Sequence, residues 1–195
     1  MTAVEPGLQA HYAAACAKPT AIQPHLPRLR DLAAGCDLVV EFGVKKAASS
    51  SALLLGAERV ISYDLVPTPE ARLLHAATRD RWDYRIGDSR YAPVTDCELL
   101  FVDSLHTYEQ CRDELARHAD AVSQFLVFHD TITFGSIGAQ GESGQHRWIY
   151  TPGTPCPAAA LGIRPAIDEL MIRDPSWRIR AHYTDSHGLL VLERA

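Results

Sequence analysis

Paired cysteines, basic runs and long apolar segments are missing from this sequence. Its five cysteines form no C-x-x-C pair, which argues against a zinc site and a disulfide framework. No run of lysine and arginine exceeds two residues and the net charge is −5, so a nucleic-acid partner is not expected. No apolar run approaches about 18 residues and no signal-peptide pattern begins the chain. A cytoplasmic protein with no membrane partner is therefore expected.

The length and composition fit one α/β domain. With 195 residues, 47% of them hydrophobic, the chain can bury one real core and is too short for two. We expect a single domain over 1–195, with an N-terminal helical segment over 1–35 and a lid or insertion loop over 131–162. The loop contains a group of aromatic and cationic residues that could cap a substrate or contact a second subunit, so a homo-oligomer is one possibility: His146, Arg147, Trp148 and Tyr150.

A strand, a glycine turn and a helix open the informative part of the chain. The run Leu38–Phe42 is apolar except for Glu41, which is typical of a buried parallel strand. Gly43 follows, and three serines then lead into a helical run of alanine and leucine. A second strand ends at Asp64, about twenty residues after the turn, where a carboxylate can accept both hydroxyls of a ribose. This spacing predicts a βαβ nucleoside-binding unit.

The glycine turn lacks the rest of a dinucleotide fingerprint. Only Gly43 is present where G-x-G-x-x-G would place three glycines, so a pyrophosphate cradle is not favoured. The E-x-G opening instead resembles the S-adenosylmethionine site of class I methyltransferases, whose cofactor has no phosphate. A dehydrogenase using NAD or another nucleotide is the alternative enzyme.

Acidic residues end five successive predicted strands. They are Glu41, Asp64, Asp88, Asp103 and Asp130. Ligands of open α/β sheets bind beyond the carboxyl ends of the strands, so these positions favour a site over simple surface charge. At Asp88 a helix cap formed with Ser89 is an equally good interpretation.

Two histidines accompany the last two of these acids. Asp103 and His106 follow strand four, while His129 and Asp130 follow strand five. Neighbouring strands lie about 4.8 Å apart, so the two pairs are expected to meet. They could hold a divalent ion, with Mg²⁺ preferring oxygen ligands and Mn²⁺ also accepting nitrogen. In the metal-free alternative, His106 is a general base that an aspartate orients.

The helices and the last strands complete the expected fold. A helix starting near His25 should leave that side chain exposed, and a helix from Tyr108 should have Glu114 on its charged outer face. Residues 178–183 and 188–194 are predicted to form a final antiparallel hairpin. Such a hairpin after five βα units is the class I methyltransferase topology, whereas a dehydrogenase has six parallel strands.

Four segments together resemble a group of class I methyltransferases with VDxxHTYE-like and HDT motifs. They are VVEFGVKKAASSSALL, LFVDSLHTYEQCRDEL, FLVFHDT and HGLLVLER. The sequence is also loosely similar to the metal-dependent O-methyltransferases of antibiotic sugars and to the cephalosporin-hydroxylase-like group. The resemblance covers residues 24–194. It implies a Rossmann-like α/β fold with a mostly parallel seven-stranded sheet, a C-terminal antiparallel hairpin and helices on both faces.

The resemblance also implies roles for individual residues. Cofactor contacts are assigned to Glu41, Phe42, Gly43, Val44, Asp64, Leu65, Asp88, Ser89 and Asp103. Catalytic roles are assigned to Asp103, His106 and His129, with His106 as the base, and metal binding to Asp103, His129 and Asp130. The chain departs from the sugar O-methyltransferases at His129, where they have a metal-binding acid, and over Lys45 to Ala48, which lacks the second glycine of the usual cofactor loop.

The expected function is therefore S-adenosylmethionine-dependent O-methylation of a small-molecule or sugar hydroxyl, with Mg²⁺ or Mn²⁺ as a candidate second cofactor. A non-catalytic cofactor-binding protein is an alternative of a different class.

Overall fold

Seven strands of the computed structural model form one sheet within the residues that it describes, which are 6–78, 80–139 and 161–195. The strands are β1 Leu38–Phe42, β2 Arg59–Asp64, β3 Trp82–Ile86, β4 Cys97–Val102, β5 Val122–His129, β6 Trp177–Tyr183 and β7 Leu189–Arg194. Their order across the sheet is β3-β2-β1-β4-β5-β7-β6.

The strand directions confirm the expected mixed sheet. Strands β1 to β5 pair in parallel, and β7 runs antiparallel to both β5 and β6. The order reverses at β1, which has β2 on one side and β4 on the other. Such a switch point leaves a crevice at the carboxyl ends of the strands, where open α/β sheets bind their ligands.

Six α-helices of the described residues cover both faces of the sheet, as expected. They are α1 Pro6–Cys16, α2 Leu26–Ala33, α3 Ala48–Gly56, α4 Pro69–Ala77, α5 Tyr108–His118 and α6 Arg164–Arg173. Helices α1 to α4 pack in one core cluster with Val39 of β1, and α5 and α6 pack in a second with Val40. Adjacent residues of β1 therefore face opposite layers, as the pleat of a strand requires. Each fully buried leucine, such as Leu53, contributes roughly 2 kcal/mol through burial.

Threonine caps set the starts of two helices near the site. The Thr68 hydroxyl accepts a hydrogen bond from Ala71 N at 3.2 Å, and Pro69 occupies the first turn of α4. The Thr107 hydroxyl accepts from Gln110 N at 3.4 Å and begins α5 directly after β4. The helix start predicted at Tyr108 is thus confirmed.

Two expected exposures were wrong. His25 is fully buried, and both of its ring nitrogens have partners inside the protein. Its Nδ1 accepts from Arg28 and its Nε2 donates to the Ser186 carbonyl at 3.2 Å. Burial is the main cause that lowers the pKa of His25. Glu114 is also fully buried, since α5 turns this carboxylate inward toward Ser104 and Gln110, which donate to it at 2.9 and 2.8 Å. Helical periodicity alone could not show these polar partners.

The segment expected to be a lid is described only at its two ends. The 140–160 part, with the aromatic and cationic group around Trp148, lies outside the described residues. At the ends, Ile163 N donates to Phe134 O at 3.0 Å and Ala139 N donates to His106 O at 2.9 Å. The two ends are therefore bonded to each other, and the first end is also bonded to His106, shortly after β4. None of the helices in the described parts of the chain has the length and apolar character that a bilayer span requires.

Candidate functional site at the carboxyl ends of the strands

A buried carboxylate lies near the carboxyl end of β1, just before the predicted cofactor loop. Glu41 of β1 is fully buried and accepts hydroxyl hydrogen bonds from Ser49 at 2.6 Å, Ser50 at 2.7 Å and Ser62 at 2.5 Å. Burial raises the pKa of Glu41 to about 7, although the three hydroxyls act in the opposite direction. The two α3 serines therefore fasten the start of that helix to β1. A cofactor contact by Glu41 stays a prediction.

The loop after β1 has an unusual backbone. Gly43, Lys45 and Ala47 all have positive φ, at 91°, 50° and 58°. The left-handed conformation is thus present at Lys45 even though the glycine usual in this loop is absent. The Asp64 carboxylate stabilises the loop by accepting from Val44 N at 2.8 Å and Lys45 N at 2.7 Å.

The other predicted cofactor residues lie along the same edge. Gly43 N extends the β1–β2 ladder by donating to Tyr63 O at 2.9 Å, and Leu65 is an apolar side chain with 37% exposure just after β2. Leu65 and the loop of Val44 are thus brought to the end of β2. Phe42, by contrast, is fully buried, with its ring edge-on to that of Tyr63.

Asp88 and Ser89 have partners within the protein. Asp88 caps a short helical turn by accepting from Arg90 N at 3.0 Å, and its carboxylate is 2.7 Å from the Arg90 guanidinium. Burial acts to raise the pKa of Asp88, but the Arg90 hydrogen bonds outweigh it and lower that pKa. The Ser89 hydroxyl donates to buried Glu114. The cap is therefore observed, and the cofactor contact of Asp88 and Ser89 stays a prediction.

Two carboxylates and two imidazoles meet at the ends of β4 and β5, as their spacing predicted. Asp103 Oδ1 is 3.1 Å from His106 Nε2 and 3.2 Å from His129 Nδ1. Asp130 Oδ1 is 3.3 Å from His129 Nδ1, and Asp130 Oδ2 is 3.5 Å from His106 Nε2. Each carboxylate thus touches both imidazoles.

The aspartates and histidines of this cluster shift one another's pKa values. Burial acts to raise the pKa of Asp103, yet His129 and His106 together hold it well below its ordinary value. Burial likewise acts to lower the pKa of His129, but Asp103 and Asp130 outweigh it and raise that pKa. The ionised form of Asp103 is therefore stabilised, and the proton affinity of His129 is higher than that of a free imidazole.

His106 is held in place from two sides. Its Nε2 faces Asp103, and its ring stacks on Phe134 with centroids 5.2 Å apart and planes 13° apart. The side chain remains 14% exposed. An imidazole that is oriented by a carboxylate and still open to the crevice can accept a proton from a ligand.

A third imidazole, His187, was missed from sequence. Its Nδ1 lies 3.2 Å from Asp130 Oδ1, in the turn between β6 and β7. The predicted hairpin could have indicated this position. An antiparallel β7 beside β5 begins opposite the end of β5, with Leu189 paired to His129. The turn before β7 must therefore lie beside Asp130.

The cluster also fits a metal ion. Asp103, His129 and Asp130 each offer a ligand atom, and these atoms lie within 4.8 Å of one another. Asp130 Oδ1 is buried and accepts no hydrogen bond from the described residues. An acceptor left in this state suits a cation, and the mixture of oxygen and nitrogen donors is compatible with several divalent metals.

No protein-family model matches the sequence, and a search of curated proteins also finds no match. Solved structures do share its fold. The SAH-bound methyltransferase PaMTH1 of Podospora anserina is 13% identical with a TM-score of 0.62, over 98% of this chain and 89% of that one. The O-methyltransferase of Bacillus cereus in complex with SAH is 14% identical with a TM-score of 0.64, over 100% and 93%.

A third solved structure is the N-methyltransferase NodS of Bradyrhizobium japonicum WM9 in complex with S-adenosyl-L-homocysteine (SAH). It is 14% identical with a TM-score of 0.60, over 97% of this chain and 97% of that one. Together with the strand order, these likenesses establish the Rossmann-like fold of class I methyltransferases for this chain.

Proposed function

We propose that this protein is an S-adenosylmethionine-dependent methyltransferase that transfers a methyl group to a hydroxyl oxygen of a small molecule or sugar. The observation that carries the proposal is the strand order with its antiparallel β7, which is the arrangement of the methyltransferase fold. It brings Gly43, Asp64 and Asp103 to one edge of the sheet, beside the switch point at β1. The three solved structures named above are all complexes with SAH, the product that this cofactor leaves.

The crevice beside β1 is the proposed cofactor site. Asp64 would accept a ribose hydroxyl, since an ionised carboxylate has about four acceptor positions and the N–H groups of Val44, Lys45 and Val66 occupy three of them. Leu65 would offer an apolar surface to the adenine, with Asp88 and Ser89 on its other side. Glu41 would support the site indirectly, because its hydrogen bonds with the α3 serines hold that helix and the loop before it in position.

His106 is the proposed general base. In the reaction, a bond forms between the acceptor oxygen and the methyl carbon while the bond from that carbon to sulfur breaks. The hydroxyl proton passes to His106, and the resulting imidazolium is stabilised by the Asp103 carboxylate 3.1 Å away. The sulfonium methyl is already reactive, so alignment of donor and acceptor supplies most of the remaining acceleration.

Asp103, His129 and Asp130 are the residues proposed to hold a divalent metal. When bound, the ion would act as a Lewis acid that lowers the pKa of the acceptor hydroxyl and helps to orient it. His106 would then receive its proton from a more acidic hydroxyl.

The acceptor is proposed to be small, with no nucleic-acid or membrane partner, because the chain has a net charge of −5 and no basic run. A homo-oligomer is also proposed; the group around Trp148, which lies outside the described residues, could contact a second subunit or cap the substrate.

The test is calorimetric titration with S-adenosylmethionine, SAH and NAD, followed by measurement of SAH release with a panel of phenolic, sugar and aliphatic hydroxyl acceptors. Micromolar binding of both sulfur compounds and acceptor-dependent SAH release would support the proposal. Binding without release for any acceptor favours a cofactor-binding protein. Binding of NAD alone would overturn the proposal in favour of an oxidoreductase.

A further inference from the structure

The segment after β3 runs back across the sheet to reach α5. In the sheet, β2 and β1 separate β3 from β4, which is a distance of about 14 Å at the usual strand spacing. Even so, Ser89 shortly after β3 and Ser104 shortly after β4 both donate a hydrogen bond to Glu114 of α5. The segment that begins at Ser89 must therefore pass β2 and β1 on the side of the sheet that α5 covers, and Ala92 is indeed buried in the same core cluster as that helix.

Side chains along one face of α5 hold this segment in place. Gln110 Nε2 donates to the Ser89 hydroxyl at 3.0 Å, and His118 Nε2 donates to the Ser89 carbonyl at 3.0 Å. Arg117 Nε donates to Ala92 O at 2.9 Å. These side chains come from successive turns of the helix, where residues three and four apart are neighbours. The beginning and the end of the segment are therefore both fixed to α5.

Glu114 is the point at which the two strand ends are joined. Its side chain is fully buried, and its Oε1 accepts from the Ser89 hydroxyl and from Gln110 Nε2 at 2.8 Å. Its Oε2 accepts from the Ser104 hydroxyl at 2.9 Å. A buried carboxylate has lost its hydration, so hydrogen bonds of this kind are needed to retain it inside a protein. Each oxygen of Glu114 thus holds a different strand end.

We propose that Glu114 is a positioning residue of the cofactor crevice, which holds the turn of Asp88 and Ser89 in a set position relative to Asp103. Ser89 follows Asp88 directly and Ser104 follows Asp103 directly, so the two serines connect Glu114 to residues on both sides of the crevice. The inference rests on the proposed function and deepens it, because a buried carboxylate that acts through two serines sets the shape of the site.

The variants are Glu114→Gln and Ser104→Ala. Glutamine has the size of glutamate, but it replaces an acceptor oxygen with a donor that would face a hydroxyl or the Gln110 amide. Ser104→Ala removes only the bond to the β4 end, and it is the milder variant should Glu114→Gln fail to fold. The matched control is Leu115→Ala, which deletes a buried side chain of the same helix from its core cluster and leaves these hydrogen bonds in place.

Two measurements are made on each full-length protein, namely SAH binding by calorimetry and hydrogen exchange of the ligand-free protein by mass spectrometry. Glu114→Gln should bind SAH ~10-fold or more weakly than wild type and Ser104→Ala ~3-fold more weakly, because hydrogen bonds to a charged group contribute effects of this size. Both variants should exchange faster than wild type over residues 103–107, and Glu114→Gln also over 88–92. Leu115→Ala should melt at a lower temperature because of its cavity, with its SAH affinity within ~2-fold of wild type.

SAH binding by either Glu114→Gln or Ser104→Ala that equals wild-type binding would overturn the inference while the methyltransferase proposal stands. A loss of affinity in Leu115→Ala as large as that in Glu114→Gln would also overturn it, since reduced stability would then explain both.

Failure of the proposed function gives a different result. If folded wild type binds neither S-adenosylmethionine nor SAH, the methyltransferase proposal is overturned, and hydrogen exchange alone decides whether Glu114 holds the two strand ends. Faster exchange over these residues in the variants supports that role, and exchange equal to that of wild type overturns it.

Discussion

Gly43 lies directly against the backbone of Asp103: a Cβ on residue 43 would be 2.1 Å from the Asp103 carbonyl oxygen. The Asp103 N–H in turn donates to Phe42 O at 2.8 Å, so the ends of β1 and β4 are locked together. Gly43 is therefore required by contact between two strands that both carry site residues. A ligand is not needed to explain this glycine.

Gly43→Ala should consequently destabilise the fold. The added methyl group would meet backbone, and the φ of 91° is unfavourable for alanine, so we expect a loss of about 2 kcal/mol or more in unfolding free energy. Gly87→Ala is the control, because a Cβ at that position after β3 has no atom within 4 Å. Urea denaturation of both variants checks the prediction, and equal stability of the two would contradict it.

Glu41→Gln should change how stability depends on pH. The pKa of Glu41 is about 7 when folded against an ordinary value of 4.5, so between these pH values the folded state binds more protons than the unfolded state. Stability must then fall as pH rises from about 4.5 to 7, by roughly 3 kcal/mol from this group. Glutamine keeps the shape and can still bond the serines, but it does not titrate.

The difference between wild type and Glu41→Gln isolates this effect from the other titrating groups. Calorimetric melting temperatures between pH 5 and 8 should show the variant gaining on wild type as pH rises, and it should be the more stable protein at pH 8. Parallel curves would mean that Glu41 ionises in the folded state with its ordinary pKa.

Lys45→Gly should be tolerated better than Lys46→Gly. Lys45 has a φ of 50°, where a side chain costs about 1 kcal/mol that glycine removes. This gain offsets the entropy that glycine adds to the unfolded chain. The free energy of unfolding of Lys45→Gly is therefore expected to lie between that of wild type and about 1 kcal/mol above it. Lys46 has no positive φ that glycine could relieve, and its ion pair with Glu70 at 3.9 Å is exposed and contributes little. Lys46→Gly should therefore show only the loss of stability that comes from the added entropy of the unfolded chain. Denaturation midpoints that rank the two variants in the reverse order would refute this account of the loop.

His106→Ala should lower turnover by about 10²-fold or more while S-adenosylmethionine binding is retained, because a general base contributes an effect of that size. Steady-state rates with an identified acceptor and calorimetric binding constants measure the two quantities separately. His75→Ala provides the comparison, since His75 packs against Trp82 of β3, on the opposite side of β1 from Asp103. Turnover unchanged in His106→Ala would exclude it as the base.

The sheet could be predicted from sequence because its strands are short apolar runs with acids at their ends. The predicted bounds of Leu38–Phe42 are those observed for β1, and the hairpin of β6 and β7 fixed the topology. The approach of the Asp103 and Asp130 groups followed from strand adjacency alone. These features depend on local pattern and on the geometry common to parallel sheets.

Other features depend on partners that are distant in sequence. Glu114 appeared to lie on a charged helix face, but Ser89 and Ser104 satisfy it inside the protein. The left-handed loop at Lys45 could not be inferred, because lysine does not signal a positive φ. His187 joins the site only through the register of β7 with β5.

The most direct test of the account is S-adenosylmethionine binding by wild type, Asp64→Asn and Asp37→Asn. Asp64 ends β2 at the proposed cofactor crevice, whereas Asp37 is exposed and precedes β1 at the opposite edge of the sheet. Calorimetry should give micromolar binding for wild type and Asp37→Asn and a loss of about 10-fold or more for Asp64→Asn, since an amide replaces one acceptor oxygen with a donor. The absence of binding by folded wild type, or equal binding by all three proteins, would contradict the placement of the cofactor at this edge.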